Sequence, residues 1–105
     1  MVKIIQTKRF AKNFSSLLES VLERSPEFAL DLLDAFDKII ATVSRFSEIG
    51  VPKTRYWYGT NVVLRDIEIF VRHRQFTVRY LYKKSVNQVV LVHIWIDGQY
   101  HNQGF

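Results

Sequence analysis

Two hydrophobic periods divide the chain. Near the start, Phe10, Phe14, Leu17, Leu18, Val21 and Leu22 fall at i, i+4, i+7, i+8, i+11 and i+12, the single apolar stripe of an amphipathic helix. The same period returns with Phe28, Leu32, Leu33, Phe36, Ile39, Ile40, Val43 and Phe46. Between the stripes stands "RSPEF", where Ser25 suits a helix cap, Pro26 the first helical position and Glu27 the positive end of the dipole. The second stripe stops near "SEIGVP", at Gly50 and Pro52. A break of about three residues makes the pair an antiparallel helical hairpin. Asp31, Asp34, Asp37 and Lys38 lie on its outer face.

After residue 60 the period changes to two. Residues 62–71, 75–83 and 89–96 are rich in β-branched and aromatic side chains and predict three strands, and "VKIIQ" at 2–6 predicts a short one before the helices. In 75–83, Phe76, Val78, Tyr80 and Tyr82 alternate with Gln75, Thr77, Arg79 and Lys83, so one face should be buried. The 62–71 segment changes the parity of its apolar residues near Arg65–Asp66, which predicts a bulge or a twist. The 89–96 segment is almost continuously apolar, as a central strand covered on both faces would be. "RHR" (72–74) and "KSVNQ" (84–88) read as hairpin loops, and "DGQYHNQGF" as a turn-rich, partly free tail.

The expected architecture is therefore α+β and a single domain over 1–105. It has an N-terminal strand, a two-helix antiparallel hairpin and a three-stranded antiparallel meander that completes one sheet.

Charge separates the halves again. Residues 1–50 carry seven Lys/Arg and seven acids, whereas residues 51–105 carry eight Lys/Arg against Asp66, Glu68 and Asp97, so the whole net charge of +5 belongs to the second half. Such asymmetry points to an acidic or polyanionic partner. Without cysteine the chain has no disulfide, thiolate nucleophile or zinc–thiolate site, which suits a reducing cytoplasm. The opening "MVKIIQTKRF" has no apolar run of signal-peptide length, and no later segment approaches a membrane span.

The sequence contains no glycine-rich phosphate loop, H-E-x-x-H motif or paired-acid signature, so no cofactor or metal is expected. His93 reads as a core or sheet-face histidine. The cationic residues Arg65, Arg72, Arg74, Arg79, Lys83 and Lys84 form the candidate target-binding set, since guanidinium groups suit phosphate. Tyr56, Trp57 and Tyr58 have two readings, stacking on bases or anchoring a connection onto the core.

The order of elements resembles the RelE/ParE superfamily of toxins from bacterial type II toxin–antitoxin modules, over nearly the whole chain. Residues 8–50 look like its helical hairpin, with Ala29 after the turn and the closing Phe46-x-x-Ile49-Gly50. "VVLRDIEIF", through Leu64 and Arg65, looks like its Leu-Arg strand, "FTVRYLY" like its aromatic-x-Val-x-Tyr strand and "VVLVHIW" like its last strand. The resemblance implies a growth-inhibitory cytoplasmic protein neutralised by a cognate antitoxin, as a toxin–antitoxin hetero-oligomer or a homodimer, with no membrane role. The RelE-like branch cleaves mRNA in the ribosomal A site, and the ParE-like branch inhibits DNA gyrase without chemistry of its own.

At the positions that matter for RNA cleavage the chain departs from the RelE-like pattern. Thr77 follows Phe76 where that branch has an arginine, and no Arg or Lys follows the last strand. If the protein is a ribonuclease, the candidates are Arg65 or Arg79 for the phosphate and Tyr100 or His101 for proton transfer. The missing arginines favour a gyrase-binding inhibitor. The alternatives are the ribosome-dependent mRNA interferase and a basic nucleic-acid-binding domain outside the family.

Overall fold

A computed structural model describes residues 2–97. The elements are β1 (Lys3–Gln6), α1 (Lys8–Arg24), α2 (Pro26–Arg45), β2 (Val51–Trp57), β3 (Thr60–Val71), β4 (Arg74–Lys83), a 3₁₀ turn (Lys84–Val86) and β5 (Gln88–Ile96). The fold is α+β, with two helices on one five-stranded mixed sheet of order β1-β5-β4-β3-β2. β1 runs parallel to β5, and every other neighbouring pair is antiparallel.

The helical hairpin forms where the sequence places it, but its joint is tighter. Ser25 alone separates the helices. It closes α1 through its N–H to the Val21 carbonyl, and its hydroxyl oxygen caps α2 by accepting from the Phe28 N–H at 3.2 Å. The chain folds back there, so that Phe10 and Phe14 early in α1 meet Phe36 in α2, with ring centroids 5.8 and 4.5 Å apart. Ser25→Ala should therefore cost about 1 kcal/mol, read as a lowered urea midpoint with an unchanged slope.

Both helical stripes and Ile69, Val71, Phe76, Val78, Tyr80, Val89, Leu91, Ile94 and Ile96 make one core, with Ile67 and Tyr82 packed against it. The alternation of β4 is borne out on this face. Leu22, Leu33 and Phe46 remain exposed, so the apolar stripes are wider than the surface the sheet covers.

Two expectations are corrected. The meander has four strands, because residues 51–57 form β2 and pair antiparallel with β3 from Val51↔Asp66 to Trp57↔Thr60. Pro52 and the polar Lys53, Thr54 and Arg55 hid this strand. Its position at the sheet edge tolerates both a proline and a solvated face. The second correction concerns the bulge. The register of β3 is regular on both sides, and the irregularity lies between β4 and β5, where Arg79 pairs with His93 but Tyr80 pairs with Leu91. The parity change in β3 marks a change of cover. Ile67, Ile69 and Val71 face the helices, whereas Leu64 is buried outside the helical core.

That second buried zone comprises Leu64, Val90, Val92 and Trp95, which are buried but do not belong to the helical core. Pairing of β3 with β4 begins only at Arg65↔Tyr80, so residues 60–64 run on with β2 as a two-stranded ribbon. The end of the ribbon lines a cleft with Thr7, Arg9 and Val92. An edge of the sheet thus folds over the face away from the helices. Among the described residues, no helix is long and apolar enough to cross a membrane.

Candidate functional site

The candidate cations divide into three groups. The first is the pair buried in the sheet. Asp66, Arg79 and His93 lie opposite one another on β3, β4 and β5. The Arg79 Nε and Nη2 donate to Asp66 Oδ1 and Oδ2 at 2.6 and 2.7 Å, the two-pronged geometry of guanidinium on carboxylate. The guanidinium also lies 4.9 Å from the Trp95 ring centroid, and Trp95 packs at 5.3 Å against the His93 ring. The His93 Nδ1 stands 2.5 Å from the Asn13 Oδ1, where α1 passes the stretch of β5 beyond the end of β1. In the next row the Thr77 hydroxyl donates to the Asp97 carboxylate at 3.0 Å. Arg79 is only 3% exposed. Alternation does put it on the sheet face away from the helices, but that face is covered there, so the expected outward cation is a buried structural one.

Arg65 belongs to a second structural arrangement, a clamp on the segment after α2. Its Nη1 donates to the Glu48 and Gly50 carbonyls, both at 2.9 Å, and its Nη2 lies 3.7 Å from the Glu48 carboxylate. Beside it the Tyr80 hydroxyl donates to the Ser47 carbonyl and accepts from the Gly50 N–H, each at 2.9 Å. The Ser47 hydroxyl in turn donates to the Val43 carbonyl at 2.9 Å. Carbonyls of the segment after α2 thus find partners drawn from β3 and β4, while the Val43 carbonyl in the last helical turn finds its partner in Ser47.

Burial raises the Tyr80 phenol above its usual value of 10.0, more than the Gly50 hydrogen bond and nearby Arg65 lower it. The sign follows from the neutral form being the one the fold holds. Below pH 10 the contribution is intact, and above it an unfolded chain ionises while the folded one resists. Wild-type stability should accordingly fall above about pH 10. Tyr80→Phe should flatten that alkaline decline and cost about 2 kcal/mol at neutral pH, because the Gly50 N–H and Ser47 carbonyl lose their partner. Chemical denaturation at neutral and alkaline pH measures both effects.

The third group is exposed and scattered. Arg72, at the β3–β4 turn with φ of 57°, donates from Nε to Asp31 of α2 at 2.8 Å and lies 5.9 Å from the Phe28 ring centroid. Arg74 opens β4, and Lys83 and Lys84 stand at its other end. Ten residues of strand separate these ends by about 30 Å. The six candidate cations therefore do not converge on one anion site. Tyr100 and His101, the candidates for proton transfer, and the turn-rich tail from Gly98 onward lie outside the described residues.

Sequence reasoning missed the Asp66–Arg79 pair, although a signal existed. A β5 strand apolar on both parities must be covered on both faces, and the cover that buries Val92 and Trp95 also reaches their neighbour Arg79. Among the described residues, no group of three or more His, Cys, Asp or Glu side chains is placed to hold a metal ion. The chain matches no known protein family, no curated protein and no solved structure.

Proposed function

We propose that this protein is the toxin of a bacterial type II toxin–antitoxin pair and acts in the cytoplasm by binding its target, with DNA gyrase as that target. The family resemblance of the sequence supports the toxin reading. One observation carries the preference for binding over cleavage: the guanidinium groups of Arg65 and Arg79, the two phosphate candidates of a ribonuclease, are engaged in a helix-end clamp and a buried ion pair. A ribonuclease needs such a cation held free for the scissile phosphate as charge develops on it.

A cognate antitoxin has a surface to cover. Phe46, Ile49 and Val51 are exposed at the end of α2 and the start of β2, and the first two line a groove of about 490 Å³ with Val2 and Tyr82. An exposed apolar group of this kind is a habitual protein-docking feature. Growth arrest on expression, relieved by a small acidic protein encoded in the neighbouring reading frame, tests the toxin reading. Purified protein should inhibit gyrase supercoiling at micromolar concentration while translated mRNA stays intact. A-site cuts in toe-printing, with supercoiling unaffected, would transfer the protein to the mRNA-interferase reading.

A further inference from the structure

The ribbon formed by β2 and the start of β3 ends in a turn that is costly for its residues. Tyr58 has φ of 50° and Gly59 φ of 80° between the paired Trp57 and Thr60. Two successive positive φ values make a tight hairpin turn that favours asparagine, aspartate or glycine at its first position. Tyrosine there is held in a left-handed conformation that side chains of its size rarely adopt. Its ring gains no burial in return, for Tyr58 is 88% exposed and Tyr56 70%. A residue that breaks a local rule without a packing gain is a mark of function.

The surroundings of that turn define a ligand. Tyr56, Trp57 and Tyr58 line a cleft of about 240 Å³ with Thr7, Arg9 and Val92, and the Trp57 and Tyr58 rings stand 4.9 Å apart. The cleft suits one flat ring system and is smaller than the pockets that enclose whole drug-sized ligands. Apart from Val92 on β5, its walls come from two segments without acids. Residues 1–18 carry Lys3, Lys8, Arg9 and Lys12, and residues 49–65 carry Lys53, Arg55 and Arg65, with no Asp or Glu in either. Lys8 and Arg9 open α1, whose first turn has no acidic residue to meet the positive end of the helix dipole. Exposed aromatic faces beside a concentrated positive field recognise a planar base joined to an anionic backbone.

We propose that this cleft is a binding site for single-stranded nucleic acid, in which Tyr56, Trp57 and Tyr58 form the platform for an unpaired base. Lys8, Arg9 and Lys12 at the start of α1, with Arg55 on β2, supply the positive field for the flanking phosphates. Duplex is a poor ligand because its bases are already stacked. The site is separate from the Asp66–Arg79 pair and the Arg65 clamp, and it holds whether or not gyrase is the target.

The test uses the full chain with fluorescein-labelled oligodeoxyuridylate and oligouridylate, read by anisotropy at low and moderate salt, with a duplex as competitor. Tight binding of either single strand is expected, weakening with salt, and the two sugars distinguish DNA from RNA as the preferred source. Tyr58→Asn should weaken binding about tenfold. The same variant should melt at the wild-type temperature or above it, since asparagine suits the turn. Tyr58→Phe, which keeps the ring, should bind like the wild type. Lys38→Ala, at an exposed cation on α2 that does not line the cleft, should change affinity far less than Tyr58→Asn. The proposal is overturned by any of three results. These are no binding of either oligonucleotide, undiminished binding by Tyr58→Asn, and equal competition by duplex.

Discussion

Arg79→Met should destabilise the domain by about 3–5 kcal/mol, the usual consequence of leaving one member of a buried ion pair without its partner. Methionine keeps most of the side-chain volume, so the loss reports the charge and its hydrogen bonds. The carboxylate left behind belongs to Asp66, whose side chain is 12% exposed and accepts two guanidinium hydrogen bonds. The contact of Arg79 with the Trp95 ring is lost as well. In a domain of this size each kilocalorie moves the melting temperature by about 4–8 °C, so a fall above about 12 °C is expected. The companion variant Asp66→Leu/Arg79→Met removes both charges and should recover most of the loss. Arg74→Ala and Lys83→Ala, both exposed, should leave the melting temperature near that of the wild type. An Arg79→Met protein as stable as the wild type would contradict the structural role of the guanidinium and return Arg79 to the candidate catalytic cations.

Gly50→Ala should cost about 3 kcal/mol, at the upper end for overpacking by a single methyl group. A Cβ at this position would lie 2.8 Å from the Arg65 Cβ, 2.9 Å from the Tyr80 hydroxyl oxygen and 3.0 Å from the Tyr80 Cε1. None of these atoms is the loose end of a flexible chain. The Tyr80 ring is fully buried, and the Arg65 Cβ is fixed to the backbone of β3. Relief would require the 47–50 segment to move away, which would break the hydrogen bonds to Tyr80 and Arg65 together. Thermal unfolding should show a drop of more than about 10 °C. A variant that melts with the wild type would mean that the segment after α2 has room to shift. The glycine is required here by close approach to β3 and β4. Its sequence signal, the end of a helical pattern, explains only half of its role.

The helices were legible because burial of one stripe imposes its period on the sequence, and the capping chemistry at Ser25, Pro26 and Glu27 marks the joint locally. The inward face of β4 was legible for the same reason, since Phe76, Val78, Tyr80 and Tyr82 share a parity. β2 was not legible, because an edge strand with one solvated face needs neither a continuous apolar run nor freedom from proline, and its stability comes from pairing with β3. The candidate site was less legible than the fold. Arg65, Arg72, Arg74, Arg79, Lys83 and Lys84 look alike as letters, and nothing local separates a clamp on carbonyls from a solvated lysine. Tyr56, Trp57 and Tyr58 were visible as an aromatic run with two readings. The folding of the ribbon beside Arg9 is what brings them to a basic cleft.

The sequence by itself determined the two helices and every strand but β2, the order of those elements, the face of each helix and of β4 that enters the main core, and the concentration of positive charge in the second half. Those properties follow from periodicity and composition, which are written locally. The tertiary structure alone decided which cations remain available. Asp66 lies thirteen residues from Arg79 and meets it only through the β3–β4 register, and the cover over both comes from strands that the sheet order brings together. The energy of a charge depends on its partner and on its access to water. Both are set by pairing and curvature over long range, so the same arginine reads as a free cation in sequence and is part of the sheet interior in the fold.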